Sequence, residues 1–421
     1  MLFQDLVNAG FVFKKYIMRK TSSLSFGIVA VLSIFLATPL SYSCSKDDKT
    51  PAAKGSIFTD TSKLSKMNRY YVFIGTYTDG TGVAKSTGIQ IYQMNPDSGS
   101  LKFVGVSSNT DNPSYLTIHP SKKWLLAVNE SWPGKITSFK IDTTNISLVE
   151  INSVASSGNS PCYISIDKTG KYAMAANYSS GSFASFGIGV DGTLTEVLSV
   201  LHGKGKSTNA IRQEGPHAHM IDQDTSIGFV YATDLGIDKV HTISLDTTTG
   251  KLKLLTSLKS EAGAGPRHFA VHPAKHMLYV LHELKGIIEV STIKTADGSL
   301  QKIQSISSAP AVSAVYPGSA DIHITADGRF LYVSNRGELN NIAIFAVNQT
   351  DGTLQLIKHV ACGGTAPRNF AIDPTGKFLL VANMDSNNIV VFKIDPTTGD
   401  LISTGIDITV PKPVCVKFLV L

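Results

Sequence analysis

The sequence of 421 residues predicts an all-β protein, a seven-bladed β-propeller with four strands in each blade. Three observations support this prediction. One sequence unit recurs about every 50 residues, every complete unit contains four short strand patterns, and the seventh unit is divided between the two ends of the domain.

The recurring unit consists of a short apolar strand, a polar turn and a second apolar strand. It occurs as NPSYLTIHPSKKWLLAVNES from Asn112, SPCYISIDKTGKYAMAANYS from Ser160, GPHAHMIDQDTSIGFVYATDLG from Gly215, GPRHFAVHPAKHMLYVLHEL from Gly265, GSADIHITADGRFLYVSNRG from Gly318, APRNFAIDPTGKFLLVANMD from Ala366 and KPVCVKFLVL from Lys412. Equivalent positions are separated by 48, 55, 50, 53, 48 and 46 residues, with a mean of 50. A period of this length is typical of propeller blades.

Each complete unit predicts four strands. In the unit from Ala366, FAID is followed by the turn PTGK and by a second strand, FLLVAN. A third strand with alternating apolar residues, NIVVFKID, leads through the turn PTTGD to a weaker outer strand, LISTGI. No segment after the N-terminal region shows a competing helical period, so the prediction is all-β.

The seventh unit supplies only its first strand, VCVKFLV, before the chain ends. Three strand patterns precede the first complete unit: YYVFIGTY from Tyr70, GIQIYQMN from Gly88 and LKFVGVSS from Leu101. We therefore predict that the N-terminal strands pair with the C-terminal strand in one shared blade. This arrangement closes the ring and removes two exposed sheet edges.

Composition and charge exclude several classes of protein. Charged residues make up only 17% of the chain and there are 35 glycines, which argues against disorder and against a helical bundle. The formal net charge is +6, of which residues 1–43 contribute +3. The remaining chain is nearly balanced and has no clustered basic run, so no nucleic-acid partner is expected.

The N-terminus resembles a bacterial lipoprotein signal. A basic region opens at Met18, which is the expected true start, and an apolar run extends from Leu24 to Leu40 before the small residues that precede Cys44. We predict a signal peptide over 1–43, a lipidated Cys44 and flexible tether over 44–67, and the propeller over 68–421. The protein would then be an outer-membrane lipoprotein of the cell envelope, in contact with the membrane only through its lipid anchor; the periplasmic or outer side is left open.

The remaining cysteines, Cys162, Cys362 and Cys415, are odd in number and have no CxxC or zinc spacing. Buried free thiols are therefore expected at these positions. Because the ring closes on itself, a monomer is sufficient for the fold.

Candidate site residues are the exceptions to the repeat. Asparagine ends most second strands, where it is expected to cap a turn, but Glu283 and Arg336 bring long charged side chains to the following position. First strands begin with small or apolar residues in some units and with charged or histidine residues in others, which include His217, His219, Arg267, His268, Asp321, His323 and Arg368. Charges near a narrow axis are costly unless they are paired or used. A polar cleft for an anionic substrate is favoured over a purely structural ion network.

These motifs carry a family resemblance. FIGTYT, RQEGPHAH, GPRHFAVHP, DGRFLYVSNRG and APRNFAIDPTGKFLLVAN resemble the lactonase family of seven-bladed propellers, over nearly the whole ring from about Tyr70. The family includes propeller-type 6-phosphogluconolactonases and the related fungal carboxymuconate-lactonising enzymes. The resemblance implies a catalytic set around the central cleft that matches His219, Arg267, Glu283 and Arg336.

Lactone opening indicates a role for each of these residues. His219 suits a general base, and Arg267 and Arg336 suit binding of the anion and of the oxyanion, with the assignment between them left open. Glu283 would orient an arginine or the histidine. We expect His217 to support His219, and we place His217, Arg212, Arg368 and His268 in substrate binding.

Metals and cofactors are not expected. The sequence HAH of residues 217–219 lacks the third ligand that a zinc site needs, and calcium would require several converging carboxylates.

The predicted function is hydrolysis of a sugar lactone resembling 6-phosphogluconolactone. Sugar phosphates are metabolites of the cytoplasm. For an exported protein, an unphosphorylated aldono- or uronolactone is therefore an alternative substrate. A surface propeller that binds glycan or protein without catalysis stays open as well, and so does a lactone-forming or ring-isomerising enzyme.

Overall fold

A computed structural model of the protein describes residues 68–79, 85–108, 110–310 and 316–421, and the strands within these ranges form seven antiparallel sheets of four strands each. The described residues contain no α-helix. None of them forms a helix long and apolar enough to cross a membrane. The predicted signal peptide, Cys44 and the tether to residue 67 lie outside the described residues.

The innermost strands surround the axis. They are β4 Tyr115–Ile118, β8 Pro161–Ile166, β12 Ala218–Gln223, β16 Pro266–Val271, β20 Ser319–Ile324, β24 Pro367–Ile372 and β28 Pro413–Val420, and we number the blades 1 to 7 in this order. Each innermost strand contacts those of the two neighbouring blades, and β28 contacts β4, so the ring is closed.

The second strands are buried along nearly their whole length. They are β5 Trp124–Asn129, β9 Tyr172–Asn177, β13 Val230–Asp234, β17 Met277–His282, β21 Phe330–Asn335, β25 Phe378–Asn383 and, in blade 7, β1 Tyr70–Thr76. Each blade packs between two others, so both faces of these strands lie against neighbours. This explains why they read as continuous apolar runs rather than as alternating patterns.

The third strands are also mostly buried, whereas the outer strands are largely exposed. The third strands are β6 Lys135–Asp142, β10 Ser182–Ile188, β14 Lys239–Leu245, β18 Ile287–Ile293, β22 Asn341–Val347, β26 Asn388–Ile394 and β2 Gly88–Met94. The outer strands are β7 Ser147–Ala155, β11 Leu194–His202, β15 Leu252–Lys259, β19 Leu300–Ser307, β23 Leu354–Ala361, β27 Leu401–Thr409 and β3 Leu101–Ser108.

Blade 7 is shared by the two ends of the domain, as predicted. Its order is β28-β1-β2-β3, and β1 pairs antiparallel with β28 from Tyr70 opposite Val420 to Thr76 opposite Pro413. The ring therefore closes through main-chain hydrogen bonds between residues distant in sequence, and neither terminal strand leaves a free edge at this joint.

The asparagines that end the second strands have a structural role, as predicted, but they bond to the connections that enter the blades and not to the adjacent turns. The side-chain Nδ2 of Asn177 donates to the carbonyl of Ser156, and that of Asn335 donates to the carbonyl of Ser308. Asn383 makes the same contact with the carbonyl of Cys362. Each bond holds the connection that enters a blade against the end of the second strand of that blade. These contacts lie at the same end of the axis as Glu283 and Arg336, which directly follow second strands.

Candidate active site

A cleft opens at one end of the propeller axis, where the connections that enter each blade meet the turns that follow the second strands. Its volume is about 490 Å³. The residues that line it come from every blade or its connections and are Tyr77, Glu130, Cys162, Tyr178, Arg212, His219, Glu283, Tyr316, Arg336, Gly337, Ala366, Arg368, Met384 and Asp385. A second cavity of about 410 Å³ opens at the opposite end of the axis. We place the site in the first cavity because the predicted base and arginines meet there.

Glu283 is the centre of the charged network in the cleft. It directly follows β17 and is 3% exposed. Its Oε2 accepts from Arg267 Nε at 2.8 Å and lies 3.1 Å from Arg336 Nη2. Its Oε1 accepts from Arg212 Nη2 at 2.7 Å and from the hydroxyl of Tyr316 at 2.8 Å. One buried carboxylate therefore orients three guanidinium groups.

Charge stabilises the ionised form of Glu283. Burial alone would raise its pKa, but Arg336, Arg267 and Arg212 outweigh burial and hold the pKa well below its usual range. Burial, together with the neighbouring Arg336, lowers the pKa of Arg267 to about 10, so this arginine stays charged at neutral pH. The group is thus an ionised carboxylate in contact with charged arginines.

His219 is buried beside this network, at the start of β12. It is 4% exposed, and its Nδ1 lies 3.8 Å from the Sγ of Cys162. Burial, followed by the positive charge of Arg267 and by His268, lowers the pKa of His219 well below its ordinary value of 6.5. The imidazole is therefore neutral at neutral pH, which is the state that a general base requires.

Arg267 lies directly beneath the cleft and is only 1% exposed. Its Nε is bonded to Glu283, and its Nη1 donates to the carbonyl of Ala320. Among the described residues, Nη2 of Arg267 has no hydrogen-bond partner. One donor of a buried cation, which shares a small internal cavity with His219, is thus not engaged by any described residue.

The opposite wall of the cleft carries a second charged group. The hydroxyl of Tyr77 donates to Glu130 Oε2 at 2.8 Å, and Arg368 lies over the Tyr77 ring at 5.4 Å. Arg368 Nη2 is 3.8 Å from Glu130 Oε2, which is longer than a hydrogen bond. Within the described part of the chain, the guanidinium of Arg368 makes no shorter contact with a carboxylate. Its donors are therefore available to an anion.

The cleft has an excess of positive charge. Four arginines, Arg212, Arg267, Arg336 and Arg368, contribute to it or lie directly beneath it, against the two carboxylates Glu130 and Glu283. The other acidic residue of the lining, Asp385, is paired with Lys412 at 3.1 Å. Such a site favours a negatively charged ligand or a reaction in which negative charge develops.

The structure brings most of the predicted site residues together. His219, Glu283, Arg336, Arg212 and Arg368 line the cleft, and Arg267 lies just beneath them.

Two residues predicted to bind substrate lie away from the cleft surface. His217 stacks on Tyr178, with ring centroids 4.6 Å apart, and its Nε2 lies 2.9 Å from Glu214 Oε1. His268 lies below Arg267, toward the opposite end of the axis. Neither histidine lines the cleft, so a direct contact of either with substrate is not supported by its position.

Sequence reasoning missed several residues of the lining, notably Tyr77, Glu130, Tyr178 and Tyr316. Glu130 follows the second strand of blade 1 at the position that Glu283 occupies in blade 4, so the repeat alignment already contained that signal. Tyr316 lies in a connection between blades, outside the repeated unit, where alignment of the repeats gives no information.

The cysteines and the metal-ligating residues add no further site. Cys162, Cys362 and Cys415 are buried and unpaired, as the sequence predicts. Among the described residues, no group of three or more His, Cys, Asp or Glu side chains is arranged to hold a metal ion.

Fold and site together define a class: a seven-bladed propeller with a buried neutral histidine and an arginine-rich axial cleft, arranged for chemistry on a small polar molecule. The chain belongs to the lactonase family of seven-bladed β-propellers, whose model matches residues 71–418.

Relatives over most of the chain are similar in sequence and in structure. A 6-phosphogluconolactonase of Bacillus subtilis is 34% identical over 354 residues, which cover 84% of this chain and 99% of the relative. A 6-phosphogluconolactonase of Formosa agariphila is 36% identical over 337 residues, with coverage of 78% and 94%. The periplasmic gluconolactonase of Pseudomonas aeruginosa matches with a TM-score of 0.78 at 32% identity, covering 83% of this chain and 99% of that structure.

Proposed function

We propose that the protein hydrolyses the ester bond of a sugar lactone in the axial cleft, with His219 as the general base and without a metal ion. The observation that carries the proposal is the buried, neutral His219 beside Arg267, which has a donor available. The family and the named activities of the relatives support lactone hydrolysis.

The proposed reaction assigns a step to each group. His219 takes a proton from water as the water oxygen attacks the lactone carbonyl, and negative charge develops on the carbonyl oxygen. Nη2 of Arg267 stabilises this oxyanion from within a buried site, where a fixed charge is most effective. The ring C–O bond then breaks, and His219 returns its proton to the departing ring oxygen. The aldonic acid ionises and releases one proton to solvent.

Arg368 and Arg336 would bind the distal, polar part of the substrate. Arg368 is on the wall across from Glu283 and is not engaged in a close ion pair with any described residue. A phosphate or carboxylate suits a guanidinium because both can form two parallel hydrogen bonds with it. The two kinds of relative differ on this point, since some are named for a phosphorylated lactone and another for gluconolactone.

Substrate choice is tested by measuring acid release from 6-phosphogluconolactone, gluconolactone and galactonolactone by the purified protein. We expect turnover of at least one lactone well above spontaneous opening. A kcat/KM highest for the phosphorylated lactone assigns Arg368 and Arg336 to phosphate binding. A higher value for an unphosphorylated lactone fits a protein that acts outside the cytoplasm. Equal, low turnover of all three would contradict a sugar lactone as the substrate.

Arg368→Ala is expected to raise KM about 10- to 100-fold, the range that loss of one charge-assisted hydrogen bond predicts. The effect on kcat should be smaller because Arg267 and His219 remain. Steady-state kinetics on the preferred lactone test this. Arg329→Ala is the matched control, since Arg329 pairs with Asp327 on the surface, in the turn between β20 and β21. An unchanged KM in Arg368→Ala would remove Arg368 from substrate binding.

The acid limb of kcat/KM is expected below pH 6.5, the ordinary pKa of histidine. Because the pKa of His219 is depressed in the folded protein, its neutral form persists as pH falls below this value. Activity is lost only when pH falls through the lower pKa, with one proton taken up. A pH series from about pH 4 to about pH 7 measures this limb. A limb at or above 6.5 would contradict the proposed environment of His219.

We also propose that the protein is a monomeric lipoprotein of the cell envelope, anchored through Cys44. The N-terminal sequence is the support, together with a relative named as periplasmic. Cys44→Ser should move the protein from the membrane fraction to the soluble fraction and remove labelling by a fatty-acid probe. Membrane retention and labelling that survive this substitution would contradict the anchor.

A further inference from the structure

Arg267 is contacted from below by a histidine that does not face the cleft. Nη1 of Arg267 lies 3.4 Å from Nε2 of His268, and Nδ1 of His268 lies 2.7 Å from Oδ1 of Asp321. Arginine can only donate, so Nε2 must be the unprotonated acceptor and Nδ1 carries the hydrogen that Asp321 accepts. The tautomer of His268 is thus determined by its two partners.

Burial and charge keep this histidine neutral. His268 is 4% exposed and Asp321 is 2% exposed. Burial, and then Arg267, lowers the pKa of His268 to about 4, against the opposing effect of Asp321. The pair therefore consists of a neutral imidazole and an ionised carboxylate, which is the state that supports the hydrogen-bond directions given above.

Asp321 is itself held from several directions. Its Oδ2 accepts from Asn369 Nδ2 and lies 3.0 Å from His323 Nε2. Its backbone amide donates to Ser334 Oγ at 3.0 Å. These contacts join blades 5 and 6 to blade 4 around the axis, so the carboxylate has little freedom to follow a displaced His268.

We propose that Asp321 and His268 are positioning residues that hold the guanidinium of Arg267 in the plane required for oxyanion stabilisation. The inference rests on the proposed function. Glu283 holds Nε on one side, and Nη1 on the other side contacts the carbonyl of Ala320 and His268, which is backed by Asp321. With both sides held, Nη2 is directed to one position. Groups that orient metal ligands from behind are worth about 10- to 100-fold in activity, and we expect an effect of similar size on Arg267.

The test compares Asp321→Asn with Asp222→Asn. Asp222 lines the same lower cavity, at the far end of β12, but it has no hydrogen bond to Arg267 or His268 among the described side chains. Asp321→Asn should lower kcat about 10- to 100-fold with KM changed less than about threefold, and Asp222→Asn should retain most of kcat.

Variants of His268 separate positioning from packing. His268→Gln keeps an oxygen that can accept from Arg267, whereas His268→Phe retains bulk but no acceptor. We expect His268→Gln to keep more of kcat than His268→Phe at similar melting temperature. Equal losses in the two variants, or a loss of kcat in Asp321→Asn no greater than in Asp222→Asn, would overturn the proposal.

A readout without turnover keeps this inference separate from the proposed function. The Nε–H signal of Arg267, assigned by its disappearance in Arg267→Lys, is followed by nuclear magnetic resonance. Asp321→Asn should speed exchange of this proton with water, and Asp222→Asn should leave it unchanged. If the wild-type protein opened no lactone, the proposed function would fail while this comparison still decided whether Asp321 holds Arg267. Unchanged exchange in Asp321→Asn overturns the positioning role.

Discussion

His219→Gln is expected to lower kcat/KM for the preferred lactone about 10²- to 10⁴-fold, the usual contribution of a general base. Glutamine fills similar space at the start of β12 but cannot take a proton from water. The protein should fold, because the described contacts of His219 with Cys162, Tyr178 and His268 are packing contacts and one long contact to sulfur. Steady-state kinetics and a melting curve measure both quantities.

His217→Gln is the matched control for this experiment. It removes a histidine two residues away that stacks on Tyr178 and does not line the cleft. We expect this variant to retain kcat/KM within about tenfold, since it can act only by supporting its neighbours. Equal losses in the two variants would mean that the assignment of the base to His219 is wrong.

Glu283→Gln is expected to lower activity strongly and to destabilise the fold. The substitution leaves Arg267, Arg336 and Arg212 without their common anion. Breaking a buried ion pair by removing one partner costs about 3–5 kcal/mol in the free energy of unfolding. Activity should fall by at least about 10²- to 10³-fold, the loss associated with one oxyanion donor, because Arg267 is no longer held. Chemical denaturation and kinetics measure the two effects.

Glu289→Gln controls for the loss of a buried carboxylate in the same blade. Glu289 is 1% exposed on β18, where its carboxylate contacts His282 and Lys302 away from the cleft. It should lower stability while kcat/KM stays close to the wild-type value. Glu283→Gln could instead behave like this control, with lower stability and unchanged activity. Glu283 would then be a structural residue and not part of the site.

The fold could be predicted because a propeller repeats its physical requirements. Every blade needs a second strand buried on both faces and a turn that returns the chain, so the same pattern recurs in each unit. The pairing of β1 with β28 could also be predicted. Without it, the single C-terminal strand and the three N-terminal strands would each present an unpaired edge.

The site could be predicted only where it interrupts the repeat. His219, Arg267, Glu283 and Arg336 stand out because the equivalent positions in most other units carry different residues. The depth of each side chain along the axis could not be predicted: of two adjacent residues of β16, Arg267 bonds to Glu283 of the cleft, whereas His268 lines the opposite cavity. Sequence spacing therefore placed His268 with the substrate, whereas the structure places it behind Arg267.

Contacts made by connections between blades could not be predicted either. Arg212 reaches Glu283 from the long connection that enters blade 3, and its partner Tyr316 lies in the connection that enters blade 5. Such loops follow no repeat, so their partners depend on the closed ring. The predictions for the signal peptide and Cys44 lie outside the described residues and remain predictions.

The most direct test of lactone hydrolysis in the axial cleft is acid release from a lactone at about pH 6.5, where His219 is expected to be neutral and spontaneous opening is limited. Wild-type protein and His219→Gln are compared, each with and without a metal chelator. We predict wild-type turnover that is unaffected by the chelator and is lost in His219→Gln. No turnover of any lactone by well-folded wild-type protein would contradict hydrolysis and favour a propeller that only binds its ligand. Turnover that the chelator abolishes would contradict the metal-free mechanism.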